Sequence, residues 1–299
     1  MTDEILFYEE LSLNALPALQ TQFYDGWVLR YTSGYGYTNR ANSVNILYPS
    51  RLGICEKVAE CERRYFAQGL PAIFKITDGA DAAIDEYLDN RGYAVAAPTY
   101  LMAADMAAIQ TGPGGRVRQT AADGCARQTA ADGCAQHNAS VGSVLKRSPG
   151  GRVLKSVPNG LVLKSEIDGE WMDAYFRLSN YTDANKITAA RQVYANIRAG
   201  VHCGRIAIDG ETAACGLCVS ERGVAGLYNI VVDEKRRGMG YGKSICLSLL
   251  SAARQAGAGA TYLQVVKDNR VAVELYKKLG YNSVYSYWYR VKPRGPEAQ

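Results

Sequence analysis

Apolar and polar positions along this chain fall into runs that alternate between the strand period of two and the helix period of 3.6. Residues 25–31 (Asp25-Gly26-Trp27-Val28-Leu29-Arg30-Tyr31) and 41–47 read as strands around a glycine-bearing connection. Residues 56–68 read as a helix, and the apolar run 72–76 as a buried strand. Residues 82–90 form a second helical stretch that Arg91-Gly92-Tyr93 ends, and Tyr100-Leu101-Met102 suggests a further strand. Late in the chain a β-branched run, residues 228–232, ends in charge and meets a glycine-rich turn. A helix with apolar positions Ile245, Leu249, Leu250 and Ala253 follows, closed by Gly257 and Gly259. Residues 262–266 read as a short buried strand. Asn269 opens a helix carrying Val271, Ala272, Leu275 and Leu279, ended by Gly280. The run Val284, Tyr285, Tyr287, Tyr289, Val291 then alternates as one or two antiparallel strands. The pattern predicts an α/β chain (α+β) with mixed, mostly antiparallel sheets flanked by helices.

At 299 residues the chain exceeds one typical domain, so two are expected. Between them, residues 111–155 are rich in Gly, Ala and Ser and poor in apolar periodicity. This stretch holds a tandem nine-residue repeat: residues 118–126 (Arg-Gln-Thr-Ala-Ala-Asp-Gly-Cys-Ala) recur as 127–135. Two copies are too few for a solenoid, and the stretch reads as a flexible linker. The expected organisation is therefore 1–110, a linker 111–155, and 156–299.

The glycine-rich turn, Asp233-Glu234-Lys235-Arg236-Arg237-Gly238-Met239-Gly240-Tyr241-Gly242-Lys243-Ser244, lies between strand and helix, where backbone N–H groups can hold phosphate. A P-loop would need glycine at 237, which is Arg237. A dinucleotide fingerprint starting at Gly238 would need glycine at 243, which is Lys243. The pattern R-x-x-G-x-G is met by Arg237, Gly240 and Gly242. A turn without any ligand is the plain alternative.

That last pattern resembles the pyrophosphate loop of the GNAT N-acetyltransferase superfamily. Residues 269–281 (Asn269-Arg270-Val271-Ala272-Val273-Glu274-Leu275-Tyr276-Lys277-Lys278-Leu279-Gly280-Tyr281) are similar to its second motif, N-x-x-A-x-x-L-Y-x-x-x-G-[FY]. The two motifs stand in the family's order with a helix and a strand between them, and the resemblance covers roughly residues 155–295. It implies that acetyl-coenzyme A is the co-substrate and a primary amine the acceptor. It also implies that strand N–H groups at Ile230, Val231 and Val232 bond the pantetheine arm, on a strand end splayed from its neighbour. Arg237, Gly238, Met239, Gly240, Tyr241, Gly242 and Lys243 would cradle the pyrophosphate. Asn269 matches the position that contacts or supports the pantetheine. Tyr276 matches the general acid toward the departing thiolate. The family's frequent glutamate on the strand before the loop is missing from residues 225–230. Glu221, Asp233, Glu234, Asp173 and Asp183 are weaker candidates, Tyr228 or Asn229 could position a water, and the base stays unassigned.

The first half echoes this order. Residues 86–93 align with 274–281 and share Glu, Gly and Tyr, but Leu88 stands where the second half has Tyr276, and no R-x-x-G-x-G loop is present. The resemblance thus implies two GNAT-like domains, the first degenerate and silent toward acetyl-coenzyme A, walling an acceptor cleft. A small-molecule acceptor is favoured over a protein or peptide amine. A non-catalytic acyl-coenzyme A sensor is the rival reading from another class, and a nucleic-acid-acting protein that uses the linker arginines is a third.

Composition changes little. A net charge of +5 is mild for this length and does not single out nucleic acid. No run of eighteen apolar residues exists and the first residues are acidic, so a cytoplasmic protein with no membrane span is expected. The eight cysteines show no disulfide spacing. Cys215-Gly216-Leu217-Cys218, with His202 and Cys203 nearby, invites a zinc reading, but strand positions three apart face opposite sides, so no metal is expected. Oligomeric state is left open.

Overall fold

The computed structural model describes residues 1–32, 38–109 and 160–294. The repeat-bearing linker, with Cys125, Cys134 and His137, lies outside the described residues. Residues 1–110 and 157–299 together form one compact unit.

The first half runs α1 (Asp3–Ala15), β1 (Gln20–Tyr24), β2 (Trp27–Tyr31), β3 (Val44–Ile46), α2 (Ile54–Ala67), β4 (Ala72–Thr77), α3 (Ala82–Asn90) and β5 (Ala94–Asp105). The second runs β6 (Leu161–Lys164), α4 (Gly169–Leu178), α5 (Ala184–Ala195), β7 (Gly200–Ile208), β8 (Glu211–Glu221), β9 (Val224–Val232), α6 (Tyr241–Gln255), β10 (Ala260–Val266), α7 (Arg270–Leu279) and β11 (Asn282–Lys292). The expected strands and helices are present. Helix α1 and strand β1 carry no clear period in the sequence. Thr2 caps α1 by accepting from the Ile5 N–H.

The eleven strands of the described residues join one sheet, in the order β1-β2-β3-β4-β11-β5-β10-β9-β8-β7-β6. Each half contributes one parallel pair, β3 with β4 and β9 with β10, with a helix crossing between its strands. The sheet is therefore mixed and mostly antiparallel, as the pattern predicts. The two halves do not keep separate sheets, because they exchange their last strands. Strand β11 pairs with β4 of the first half (Trp288 opposite Ile76), and β5 pairs with β10 of the second (Met102 opposite Leu263). The exchanged strands pair with each other in the centre, Leu101 opposite Tyr285.

Helices α1, α4 and α5 cover one face, where Trp171 of α4 and Tyr194 of α5 share a core with Tyr228, Tyr262, Tyr285, Tyr287 and Tyr289 of the strands. On the other, α6 and α7 cover Leu227, Leu263 and Val265, while α2 and α3 cover Trp27, Leu29 and Phe74. One ion pair lies deep under α1. Lys75 on β4 donates to Glu9 at 2.7 Å, both side chains are almost fully buried, and Tyr285 of β11 donates to the same carboxylate. An unpaired charge there would be very costly, so the pair fixes how α1 seats against the exchanged strands.

Candidate active site

The site starts from a break in the sheet. Strands β9 and β10 pair from Val224 opposite Ala260 to Leu227 opposite Leu263, and no further. Beyond that rung β10 bonds only to β5. On its other side β9 bulges: pairing with β8 jumps from Leu217–Tyr228 to Cys215–Val231, so Asn229 and Ile230 share one position opposite Gly216. Asn229 sits at φ +53°, a conformation asparagine tolerates better than most residues. Its side chain is tied down, with Nδ2 donating to the Tyr194 hydroxyl at 2.8 Å. The edge of Ile230, Val231 and Val232 that faces β10 therefore carries no ladder bonds. Unpaired strand N–H groups must find other partners, and an extended amide-bearing chain is a suitable one.

The chain then turns. Asp233 accepts from the Lys235 N–H at 2.9 Å and starts a short 3-10 turn. Arg236 folds back onto the Ile208 carbonyl at 3.3 Å and lies 3.6 Å from Glu211, so it is structural. Arg237 is exposed, with Glu234 3.4 Å away, and Lys243 is exposed on the first turn of α6. Gly238 and Gly240 take φ of +77° and +86°. A Cβ added at either would meet no protein atom within 4 Å, so the backbone angle, not crowding by protein, asks for glycine. Met239 is exposed, while Tyr241 and Gly242 are half-buried.

Helix capping sets this turn apart. Thr2, Asp81, Asp168, Asp183 and Asn269 cap α1, α3, α4, α5 and α7 with their side chains. Among the helices of the described residues, only α2 and α6 start from a glycine, Gly53 or Gly240, with no side-chain cap. These two helices cross between the strands of the two parallel pairs, so they occupy equivalent places. At α2 the chain supplies its own anion. The Asp25 carboxylate accepts from the N–H groups of Leu52 (2.9 Å) and Arg51 (3.0 Å) and pairs with Lys57 at 3.2 Å. The Leu52 N–H above all holds its carboxyl below the usual carboxylate range. Among the described residues, no side chain caps the matching position at α6.

Tyr276 lies on α7, 8% exposed, its ring edge-on to Tyr281 at 5.9 Å. Burial pushes its phenol well above the ordinary value, so the proton stays on at any working pH. The equivalence with Leu88 holds in backbone detail. The Tyr276 carbonyl accepts from the Tyr281 N–H at 3.1 Å, and the Leu88 carbonyl accepts from the Tyr93 N–H at 3.1 Å. Asn269 caps α7 by accepting from the Ala272 N–H at 3.2 Å.

The weaker base candidates are engaged elsewhere. Glu221 accepts from Asn14 (3.0 Å), Asp183 caps α5, Asp173 pairs with Arg191 (2.6 Å) and Asp233 caps its turn. Glu234 lies on the exposed turn beside Arg237. Tyr228 shares a 2.5 Å hydroxyl contact with Tyr262. Cys215 and Cys218 pack into the cores on opposite faces, and burial pushes both thiols up to about 12. No group of three His, Cys, Asp or Glu side chains suited to a metal gathers among the described residues. No helix among them is long and apolar enough to cross a membrane. The Asp25 anion at α2, invisible to motif reading, is signalled in sequence only by Asp-Gly ahead of a strand.

Three comparisons bear on this geometry. The profile of the Acetyltransferase (GNAT) family matches residues 167–281. An uncharacterized N-acetyltransferase, YobR of Bacillus subtilis, is 25% identical over 290 residues, covering 97% of this chain and 99% of its own. A GCN5-related N-acetyltransferase from Kribbella flavida superposes with a TM-score of 0.57 at 14% identity, over 98% and 97% of the two chains. A tandem GNAT protein from the clavulanic acid biosynthesis pathway superposes with a TM-score of 0.56 at 12% identity, over 99% and 97%.

Proposed function

We propose that this chain, a tandem-domain member of the GNAT acetyltransferase superfamily, moves an acetyl group from acetyl-coenzyme A to the primary amine of a small molecule. One observation carries the reading. The break after Leu227 and Leu263 leaves a bare strand edge, and that edge leads directly into the uncapped R-x-x-G-x-G turn. A bare edge suits the amides of a pantetheine arm, and an uncapped helix start with Arg237 and Lys243 beside it suits a pyrophosphate. Ile230, Val231 and Val232 would hold the arm, Arg237 through Lys243 the pyrophosphate. Asn269 would act from its cap position by fixing the start of α7. We take residues 156–299 as the catalytic half. Residues 1–110 are the silent half, whose corresponding turn is closed by Asp25.

The chemistry needs little else. The amine attacks the thioester carbonyl, a C–N bond forms, the C–S bond breaks, and the extra amine proton leaves to water. Holding the two reactants together supplies most of the acceleration. N–H groups on the bare edge would orient the carbonyl and stabilise its developing negative charge. Tyr276 would donate a hydrogen bond to the departing thiolate. Its buried phenol holds its proton more tightly than a thiol that titrates near 8.5, so it would stabilise charge without fully giving the proton up. With the nearby carboxylates engaged, a water acts as base.

The test is acetyl-coenzyme A-dependent release of free thiol with a pool of primary amines. Acetylated amine forming with released thiol supports the reading. Thiol release at the buffer rate with every amine overturns it.

A further inference from the structure

Gln264 is the first residue of β10 past its last rung with β9, and a second feature starts there. A cleft of ≈ 350 Å3 opens beside it, lined by Ala97 and Thr99 of β5, Gln264 and Val266 of β10, and Tyr287 and Tyr289 of β11. Gln264 and Val266 therefore belong both to the stretch of β10 that β9 has left and to the cleft wall. The strand exchange builds this cleft, since β5 lies between β10 and β11 only because the halves trade strands.

One wall is strained. Pairing of β5 with β11 jumps from Thr99–Tyr287 to Ala96–Tyr289, so Ala97 and Pro98 together oppose Trp288. At this bulge Ala97 takes φ +47°. A Cβ disfavours that left-handed angle, and a following proline pushes the residue before it toward extended backbone. Neighbours hold the conformation in place. The Thr99 hydroxyl donates to the Ala97 carbonyl at 2.7 Å, and the Lys267 N–H donates to the Pro98 carbonyl at 2.8 Å. Glycine would adopt the angle freely, yet alanine stands there. Strain and bulges of this kind gather where a chain is shaped around a ligand, and here the strained residue lines the cleft.

The lining selects against charge. Val266 is apolar and 42% exposed. Gln264 is a fixed wall, its Nε2 donating to the Ser12 hydroxyl at 3.0 Å and its Oε1 accepting from the Tyr287 hydroxyl at 3.2 Å. Arg40 is the only formal charge among the described lining residues, and it already has a partner. No carboxylate is among them. A second ammonium would find no counter-ion there and a carboxylate no spare cation, so either would lose hydration without compensation. An uncharged apolar substituent would cover Val266 and Ala97 without that cost.

We propose that the acceptor is a primary monoamine with an uncharged, apolar substituent, that this cleft receives the substituent with the amine toward the strand break, and that the Ala97 methyl sets its size. The inference rests on the acetyltransferase reading and deepens it. Ala97 is then a specificity-determining residue, supplied by a strand of the first half to the site of the second.

The experiment uses the full chain with acetyl-coenzyme A and matched amines, with thiol release and mass spectrometry as readouts. Butylamine is set against diaminobutane, which adds an ammonium, and pentylamine against norleucine, which adds a carboxylate. The kcat/KM of each plain amine is expected to exceed that of its charged match at least about tenfold, an uncompensated charge costing at least that much. Isopentylamine, one methyl larger than butylamine, tests the size limit. In Ala97→Gly the ratio of kcat/KM for isopentylamine to that for butylamine is expected to rise about tenfold, the usual order for one methyl in an apolar pocket. Glycine suits the angle, so the variant keeps its fold and its calorimetric affinity for acetyl-coenzyme A. A merely structural Ala97 would leave the ratio unchanged. That result, equal or better use of either charged match, or no acetylated monoamine from a protein that still binds acetyl-coenzyme A, each overturn the proposal. Absence of acetyl-coenzyme A binding in the unaltered protein overturns the acetyltransferase reading itself, and this inference with it.

Discussion

Leu227 and Leu263 form the last rung between β9 and β10, and everything assigned to the site lies on the far side of that pair. Up to it, the strands are an ordinary parallel pair inside a covered sheet. Past it, the bulge at Asn229 turns β9 away, and β10 continues alone against a strand borrowed from the first half. A bare edge in the middle of a sheet is unusual, because backbone groups there seek partners. Here it faces the turn that heads α6.

The turn needs backbone angle more than space. Gly240→Ala should therefore weaken acetyl-coenzyme A binding modestly, by roughly three- to tenfold, through the cost of φ +86° for a residue with Cβ. The protein itself leaves room for the methyl group. Titration calorimetry checks this, and affinity equal to the unaltered protein would show that the angle is not needed for binding.

Tyr276→Phe removes one hydroxyl from a packed ring and leaves the contact with Tyr281. Its kcat should fall roughly 10- to 100-fold with the dissociation constant for acetyl-coenzyme A nearly unchanged. Steady-state kinetics beside calorimetry separates the two. Unchanged kcat would remove Tyr276 from the chemistry.

Asp25 acts as a permanent anion at the α2 turn, so Asp25→Asn should destabilise the fold. The sign with pH follows from its lowered pKa. The carboxylate's contribution is complete above the unfolded value, near 3.9, and is lost as pH falls through the lower folded value. Denaturant unfolding of both proteins should show a gap at pH 7 that narrows in strong acid. A gap of constant size from pH 7 to pH 2 would contradict the assignment.

Strand exchange predicts that neither half is stable by itself. Residues 156–299 alone would lack β5, exposing one edge of β10 and leaving β11 without either neighbour. Expressed separately, 1–110 and 156–299 should be insoluble or unfolded. Co-expressed without residues 111–155, they should purify as a folded one-to-one complex. A monomeric, cooperatively folded second half would refute the prediction.

The sequence displays elements better than it displays their partners. The turn at 237–243 and the helix at Asn269 are legible because dihedral and capping demands leave glycine and asparagine at fixed spacings. The equivalence of Leu88 with Tyr276 is legible for the same reason, since Gly92 and Gly280 end their helices alike. The exchange of β5 and β11 is not legible, because either strand alternates equally well beside its own half or the other. Helix α1 hides because its buried face includes Glu9, whose partner Lys75 is 66 residues away in sequence. Asp25 at the α2 turn acts across the fold, on Arg51, Leu52 and Lys57, and belongs to no local motif.

The most direct test of the central claim is calorimetric titration of the whole protein with acetyl-coenzyme A, beside the Gly240→Asp variant. The account predicts one equivalent bound per chain, and none in the variant, where a carboxylate would repel phosphate at the head of α6. Two equivalents would contradict the closure of the first half by Asp25. No binding, or equal binding by Gly240→Asp, would contradict the site.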